Sequence, residues 1–140
     1  LVSRVIYVKK VSAKSFVIQD AAMNDLIRPT LYDAWHEIIP VTEPADGTPE
    51  VAADVVGPIC ETGDYFAIDR KLPEMAQGDL LAVMTAGAYG AAQSGTYNSR
   101  PLIAEVLVKG SKFDIVRPRQ TYEELIGLDH LAAWQAKKRR

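Results

Sequence analysis

The sequence has a single cysteine, two histidines and no long apolar run, and each scarcity argues against a class of protein. One cysteine cannot form a disulfide within the chain, which favours a reducing compartment over a disulfide-rich secreted fold. His36 and His130 lie far apart and outside any metal-ligand spacing, so we expect no metal site. Without a signal peptide or an apolar stretch of membrane-spanning length, we predict a soluble, cytoplasmic protein with no membrane partner.

The sequence also has little excess charge, because its 140 residues carry a formal net charge of −2 at pH 7. This balance gives no basic surface for nucleic acid, and we expect no nucleic-acid partner. The block of positive charge at residues 137–140 is typical of a solvated tail. The first residues, from Leu1 onward, already have the pattern of a β-strand, so we expect the chain to be cut from a longer one.

What the sequence does have is a series of short segments rich in strand-forming residues, separated by turn signals. Segments of this kind lie at residues 3–10, 14–20, 36–41, 51–57, 64–72, 75–87 and 102–118. The first two predict a hairpin with Val5 and Tyr7 on one face, and Gly110 marks the turn of a second hairpin. Pro29 suits the first turn of a short helix, and Thr121 begins a capping box that predicts another. We therefore predict a mainly β fold, a β-sandwich or Greek-key barrel with short helical insertions.

Two stretches carry the groups most suited to chemistry. "CETGD" at residues 60–64 places a thiol and two carboxylates in one loop between predicted strands, where a scaffold can hold functional groups. A lone cysteine is more often a small buried apolar residue, so that reading of Cys60 stays open. "RPTLY" spaces Arg28 and Tyr32 so that a helix would put both on one face, where they suit a carboxylate ligand. A surface arginine packed on a ring explains the same pair equally well.

Two further motifs are weaker when taken alone. "GAYG" at residues 87–90 and "YNSRP" at residues 97–101 can each be a plain turn. Together with "MNDLIRPTLYDAWHEI" and "CETGD", in this order and at about this spacing, they resemble the C-terminal β-domain of the diaminopimelate decarboxylases. These are pyridoxal-phosphate enzymes with an alanine-racemase-like barrel, related to the ornithine decarboxylases. The resemblance covers about residues 3–128, so we expect a β-domain at 1–128 and a helical or solvated tail at 129–140.

The resemblance implies that part of the enzyme lies outside this chain. In that family an N-terminal (β/α) barrel carries the lysine that forms the Schiff base with pyridoxal 5'-phosphate. No alternating strand–helix pattern of barrel length is present, and 140 residues could not contain one. The expected partners are therefore an amino-acid substrate, the barrel domain and a second subunit, since the family forms homodimers with shared active sites. We expect the chain to be inactive by itself.

The same resemblance implies a role for each candidate residue. Cys60 matches the cysteine that reaches the neighbouring subunit's site, where a protonated thiol can donate to the substrate Cα after carbon dioxide leaves. Glu61 matches the reader of the substrate's far ammonium group. Arg28 and Tyr32 match the pair that holds the far carboxylate, in the subunit whose barrel forms that site. Tyr89 matches a tyrosine near the substrate and the cofactor phosphate, and Tyr97 an aromatic residue lining the pocket.

Glu61 and Arg28 favour one substrate within the family. Diaminopimelate has an ammonium and a carboxylate at its far end, which one anion and one cation of the site would match. A plain diamino acid would leave a buried arginine unpaired, which is costly. The expected reaction is therefore the decarboxylation of meso-2,6-diaminopimelate to L-lysine. The alternatives are a lysine, ornithine or carboxynorspermidine decarboxylase, and a β-module without catalysis.

The departures from the family pattern are small and remove no group with an assigned role. Thr62 stands where serine is frequent, and Trp35 where tyrosine is frequent. Ala22 replaces a frequent glycine, so we expect ordinary backbone angles there.

Overall fold

The computed structural model describes residues 1–12 and 14–135. The chain divides into two compact units, Leu1–Ser94 and a second that begins at Gly95. The predicted boundary between residues 128 and 129 is a different division and stays a prediction.

The first unit is built on a six-stranded sheet with the strand order β3-β6-β1-β2-β4-β5. Its strands are β1 (Val2–Val11), β2 (Lys14–Gln19), β3 (Ile38–Pro40), β4 (Glu50–Val56), β5 (Tyr65–Pro73) and β6 (Leu80–Val83). Neighbours are antiparallel except β2 and β4, which run parallel because the chain crosses from one to the other through helix α1 (Arg28–Tyr32) and β3. β6 returns between β3 and β1 and pairs with both.

The predicted first hairpin is confirmed, although its pattern is interrupted. β1 and β2 pair antiparallel, with a register shift between Val5 and Tyr7. The shift leaves Val5 fully buried and Tyr7 exposed, so the prediction that both lie on one face is wrong. A bulge of this kind adds a residue to one strand and thereby reverses the inside and outside positions beyond it.

The two edges of the sheet approach each other and enclose the core. Arg70 on edge strand β5 donates from Nη1 to the carbonyl oxygen of His36, 2.7 Å away and just before edge strand β3. The side chains packed inside are mainly aliphatic: Val5, Val17, Leu26, Ile38, Val55, Phe66, Leu72, Leu81 and Val83. Leu81 and Val83 of β6 are both buried in this core. The prediction of a mainly β, barrel-like domain with short helical insertions is also confirmed.

The helical insertions of the first unit are α1 (Arg28–Tyr32) and α2 (Gly87–Ala92). Pro29 lies in the first turn of α1 as predicted, and Asp33 ends the helix in a left-handed conformation with φ 52°. Ala22 has no positive φ, as expected for a residue replacing glycine, and it is fully buried. None of the described helices has the length and apolar character needed to cross a bilayer.

The second unit contains a hairpin and two short helical turns. Its elements are a 3₁₀ helix (Tyr97–Ser99), β7 (Glu105–Lys109), β8 (Lys112–Arg117) and α3 (Tyr122–Ile126). Gly110 turns the hairpin with φ 59°, and Thr121 and Glu124 form the predicted capping box. Of the predicted tail, residues 129–135 contain no helix, and residues 136–140, which include the whole basic block, lie outside the described residues.

Candidate active site

The cysteine loop, residues 57–64, connects β4 to β5 and carries Cys60 at the surface. Cys60 is a free, exposed thiol, so the reading of it as a buried apolar residue is wrong. Glu61 beside it is also exposed, and its Oε1 accepts hydrogen bonds from Thr62 Oγ1 at 3.2 Å and from the Gly63 amide at 3.4 Å. The thiol and the carboxylate are therefore both accessible, with the carboxylate oriented by its own loop.

Asp64, the second carboxylate of the loop, is buried and has a structural role. Its Oδ1 accepts from the Met23 amide and its Oδ2 from the Ile59 amide, both at 2.7 Å. The loop also closes through a hydrogen bond of 2.9 Å from the Gly57 amide to the Asp64 carbonyl. Gly57 must lack a side chain, because a Cβ there would lie 2.3 Å from Asp64 Oδ2. Sequence reasoning placed Asp64 among the groups available for chemistry and missed this anchor.

Helix α1 is fixed directly on the cysteine loop. The Thr30 hydroxyl donates to the Gly63 carbonyl, and a Cβ on Gly63 would lie only 2.7 Å from Thr30 Cγ2. The Tyr65 hydroxyl, at the start of β5, lies 3.3 Å from the Pro29 carbonyl and 3.1 Å from Asp33 Oδ1. The hydrogen bond to Asp33 raises the pKa of Tyr65. The helix that carries Arg28 and the loop that carries Cys60 are therefore held against each other by short polar contacts.

Arg28 lies near two tyrosine rings. Its guanidinium carbon is 5.9 Å from the centre of the Tyr32 ring and 5.8 Å from the centre of the Tyr89 ring. Tyr32 is 58% exposed and Tyr89 is 64% exposed, while Arg28 is half-buried. The arginine therefore packs near rings, as one reading of the Arg28–Tyr32 pair predicts, and the reading as a carboxylate-binding pair stays a prediction.

Tyr89 belongs to α2 and is not part of a plain turn. Gly87 starts this helix with φ 63°, a left-handed conformation that favours glycine. Gly90 is buried, and a Cβ there would lie 3.3 Å from the Ala86 side chain. The two glycines of "GAYG" therefore allow the turn and the close packing that bring Tyr89 to Arg28.

Tyr97 belongs to the second unit, whereas the other candidate residues belong to the first. It begins the 3₁₀ helix of the second unit and is half exposed there. Asn98 and Ser99 follow it with φ of 60° and 56°. The expected place of Tyr97 in a substrate pocket stays a prediction.

The donor set fits an anionic ligand better than a metal ion. Within the described residues, no group of three or more histidine, cysteine, aspartate or glutamate side chains could hold a metal ion. No carboxylate of the described chain forms an ion pair with Arg28, which leaves its positive charge available to an anion. A guanidinium beside an exposed phenol suits the carboxylate of an amino acid or the phosphate of pyridoxal phosphate.

The lysines of the described first unit lie on strands, and none lies in the cysteine loop, α1 or α2. Lys10 on β1 pairs with Glu74, and Lys14 on β2 pairs with the buried carboxylate of Asp54. The Asp54 carboxylate raises the pKa of Lys14, which keeps that ammonium charged. Neither lysine lies in the cysteine loop or in α1 or α2, so the residues around Arg28 supply anion-binding groups and no lysine.

A family model described as "Pyridoxal-dependent decarboxylase, C-terminal sheet domain" matches residues 1–87. The diaminopimelate decarboxylase of Zymomonas mobilis is 52% identical over 134 residues, covering 96% of this chain and 31% of that protein. The diaminopimelate decarboxylase of Pseudomonas aeruginosa is 54% identical over 125 residues, covering 89% of this chain and 29% of that protein.

The solved structures give the same result. The crystal structure of the Helicobacter pylori diaminopimelate decarboxylase complexed with L-lysine matches with a TM-score of 0.83 and 42% identity, covering 91% of this chain and 31% of that one. A viral arginine decarboxylase bound to agmatine, at 16% identity and a TM-score of 0.65, shares the fold alone. The chain spans about a third of the length of the curated relatives it matches.

Proposed function

The chain belongs to the C-terminal sheet domain family of the pyridoxal-dependent decarboxylases, and from this premise we propose that it is the sheet domain of a diaminopimelate decarboxylase. The proposed reaction converts meso-2,6-diaminopimelate to L-lysine and carbon dioxide. The proposed enzyme also contains a barrel domain that carries the Schiff-base lysine, and it works as a cytoplasmic homodimer. One observation carries the proposal. Helix α1 places Arg28 near the rings of Tyr32 and Tyr89, and the same helix is hydrogen-bonded through Thr30 to the cysteine loop.

Arg28 and Glu61 are the proposed readers of the far end of the substrate. The guanidinium of Arg28 binds the far carboxylate, and Tyr32, on the same helix, adds a phenol that can donate to it. The exposed carboxylate of Glu61 binds a far ammonium group. Arg28 is half-buried, so leaving it unpaired costs less than for a fully buried arginine, yet it still disfavours a substrate without that carboxylate.

Bound pyridoxal phosphate supplies the electron sink that accepts the pair released when carbon dioxide departs. Tyr89 is the residue of this chain proposed to meet its phosphate, through a hydroxyl on a largely exposed ring. Cys60 is proposed to donate a proton to the substrate Cα, since its thiol is exposed at the tip of an anchored loop. Tyr97 is proposed to line the same pocket.

A chimera tests this function. The N-terminal two-thirds of the Zymomonas mobilis relative, joined to this chain, should release L-lysine from meso-diaminopimelate and act on lysine and ornithine far more slowly. A site built for a polar group rejects analogues that lack the group by about 10⁴ or more. A chimera that binds pyridoxal phosphate but releases no lysine would show a β-module without this catalysis. Comparable rates on lysine or ornithine would favour the alternative substrates.

Arg28→Gln in the chimera tests the proposed carboxylate reader. Losing one hydrogen bond to a charged group costs about 1.5–3 kcal/mol, which is about a 10- to 150-fold rise in KM. Arg119→Gln is the matched control, because Arg119 is an exposed arginine of the second unit and has no proposed role. Equal KM values for the two variants would remove Arg28 from the substrate site.

A mixed dimer tests whether Cys60 serves the site of a second subunit. One chimera lacks the barrel lysine and the other carries Cys60→Ala, so each parent dimer should be nearly inactive. After random mixing, half of the dimers are hybrids with one complete site each, and the activity should reach about a quarter of the unmodified level. If hybrids form without activity, Cys60 does not act across the subunit interface.

A further inference from the structure

Arg70 makes contacts that the proposed reaction does not use. It lies on β5, and its Nη1 donates to the His36 carbonyl oxygen at 2.7 Å. Its guanidinium carbon also lies 4.7 Å from the centre of the Trp35 ring, within cation–π range. Arg70 is half-buried, whereas Trp35 is 72% exposed. Burial lowers the pKa of Arg70 without threatening its charge at neutral pH.

Trp35 and His36, the two residues that Arg70 contacts, lie just after the helix that carries Arg28. Asp33 ends α1 in a left-handed conformation, and residues 33–37 form no regular helix or strand before β3 begins. The backbone of this connecting segment is hydrogen-bonded at its two ends, where the Ala34 N–H donates to the Arg28 carbonyl and the Met84 N–H donates to the Glu37 carbonyl. Side-chain contacts help to fix Trp35 and His36 between these ends. Arg70 supplies two such contacts, one to the ring of Trp35 and one to the backbone of His36.

Strand β5 thereby supports both ends of the α1 region. Tyr65 at its start contacts Pro29 and Asp33, and Arg70 farther along it contacts Trp35 and His36. The Arg70 contact also joins the two edges of the six-stranded sheet, because β5 is one edge and β3 follows His36. Losing this contact would leave α1 held at Pro29 and Asp33, while Trp35 and His36 in the segment that follows would lose their contacts with Arg70 on β5.

We propose that Arg70 is a positioning residue for substrate recognition, fixing the segment that follows α1 through Trp35 and His36 so that the helix keeps Arg28 in place at the substrate's far carboxylate. This inference rests on the proposed function. Arg70 itself touches neither substrate nor cofactor. Its removal should therefore weaken binding of the far end of the substrate and leave the chemistry at Cα largely intact.

The test compares Arg70→Gln with Lys71→Gln in the chimera described above. Lys71 is the exposed neighbour on the same strand and controls for the loss of one positive charge. We expect Arg70→Gln to raise the KM for diaminopimelate about tenfold while kcat changes less than about threefold, because misplacing a binding group mainly costs binding. Lys71→Gln should leave both values unchanged.

A double-variant cycle separates positioning from a general loss of structure. If Arg70 acts through Arg28, adding Arg70→Gln to Arg28→Gln should not raise KM further, whereas independent effects would multiply. Trp35→Ala is the second variant in case Arg70→Gln fails to fold, and its rise in KM should also vanish in the Arg28→Gln background. Unchanged KM in these variants, or multiplying effects, would overturn the inference and leave the proposed function standing. An inactive unmodified chimera would instead overturn the proposed function, and this inference with it.

Discussion

Asp64→Asn is the substitution whose effect on stability follows most directly from the structure. Both carboxylate oxygens of Asp64 accept a backbone N–H, one from Met23 and one from Ile59, at 2.7 Å each. Asparagine keeps the shape of the side chain but replaces one acceptor oxygen with an NH₂ group. That group would face a backbone donor, so one hydrogen bond is lost and the remaining one no longer involves a charge.

The expected loss of stability can be estimated from these two contacts. A hydrogen bond to a charged group contributes about 1.5–3 kcal/mol, and a buried donor left unpaired costs about 1–3 kcal/mol. Because these terms describe the same contact from two sides, we expect a net loss of about 2–3 kcal/mol rather than their sum. For a small domain whose urea m-value is about 1–3 kcal/mol/M, the unfolding midpoint should fall by about 1 M or more.

Urea unfolding followed by circular dichroism measures this effect. Asp46→Asn is the matched control, because Asp46 lies exposed in the loop between β3 and β4 and its loss should change stability by less than about 0.5 kcal/mol. Asp64→Ala should destabilise at least as much as Asp64→Asn, since it removes both acceptors. An Asp64→Asn midpoint equal to that of the control would refute the view that this carboxylate anchors the cysteine loop.

Three further predictions concern the same region and the chain as a whole. Because the Asp33 hydrogen bond raises the pKa of Tyr65 above its ordinary 10.0, this contact stabilises the fold below that pH and is lost as the pH rises through the raised value. The stability gap between the unmodified chain and Tyr65→Phe should therefore be constant at neutral pH and shrink in strong alkali; a gap that grows there would contradict the assignment. Gly63→Ala should cost about 1–3 kcal/mol by crowding Thr30 Cγ2, and Thr30→Ser, which keeps the hydroxyl, should relieve most of that cost. The 140-residue chain mixed with pyridoxal phosphate and diaminopimelate should release no lysine above the free-cofactor background, and turnover there would show that no barrel is needed.

Those parts of the fold that depend on neighbouring residues could be predicted from the sequence. The turn at Gly110, the first turn of α1 with its Pro29 and the capping box at Thr121 each depend on a few adjacent residues, and each is found in the structure. The face of Tyr7 was predicted wrongly, because a bulge is set by the pairing with β2 and not by the alternation within β1.

The candidate site was predictable in its residues but not in its contacts. The motifs identified Arg28, Tyr32 and Tyr89, but no local pattern says that one guanidinium lies near two rings from helices far apart in the chain. The role of Asp64 depends on the amide of Met23, 41 residues away. Contacts of this range are decided by how the sheet closes, which periodicity within one segment cannot show.

The parallel pairing of β2 with β4 has a consequence for how the domain reaches its native state. The connection between these strands contains α1 and β3. Strand β1 also pairs with the distant strand β6, with Val2 opposite Ala82. A topology with such distant partners has a high contact order, and such domains fold slowly. The β1–β2 hairpin can form early on the ribosome, but α1 gains its support only after β5 has emerged. Substitutions in α1 therefore act on contacts that form only once β5 is present, and variants of this region should be screened for folding yield.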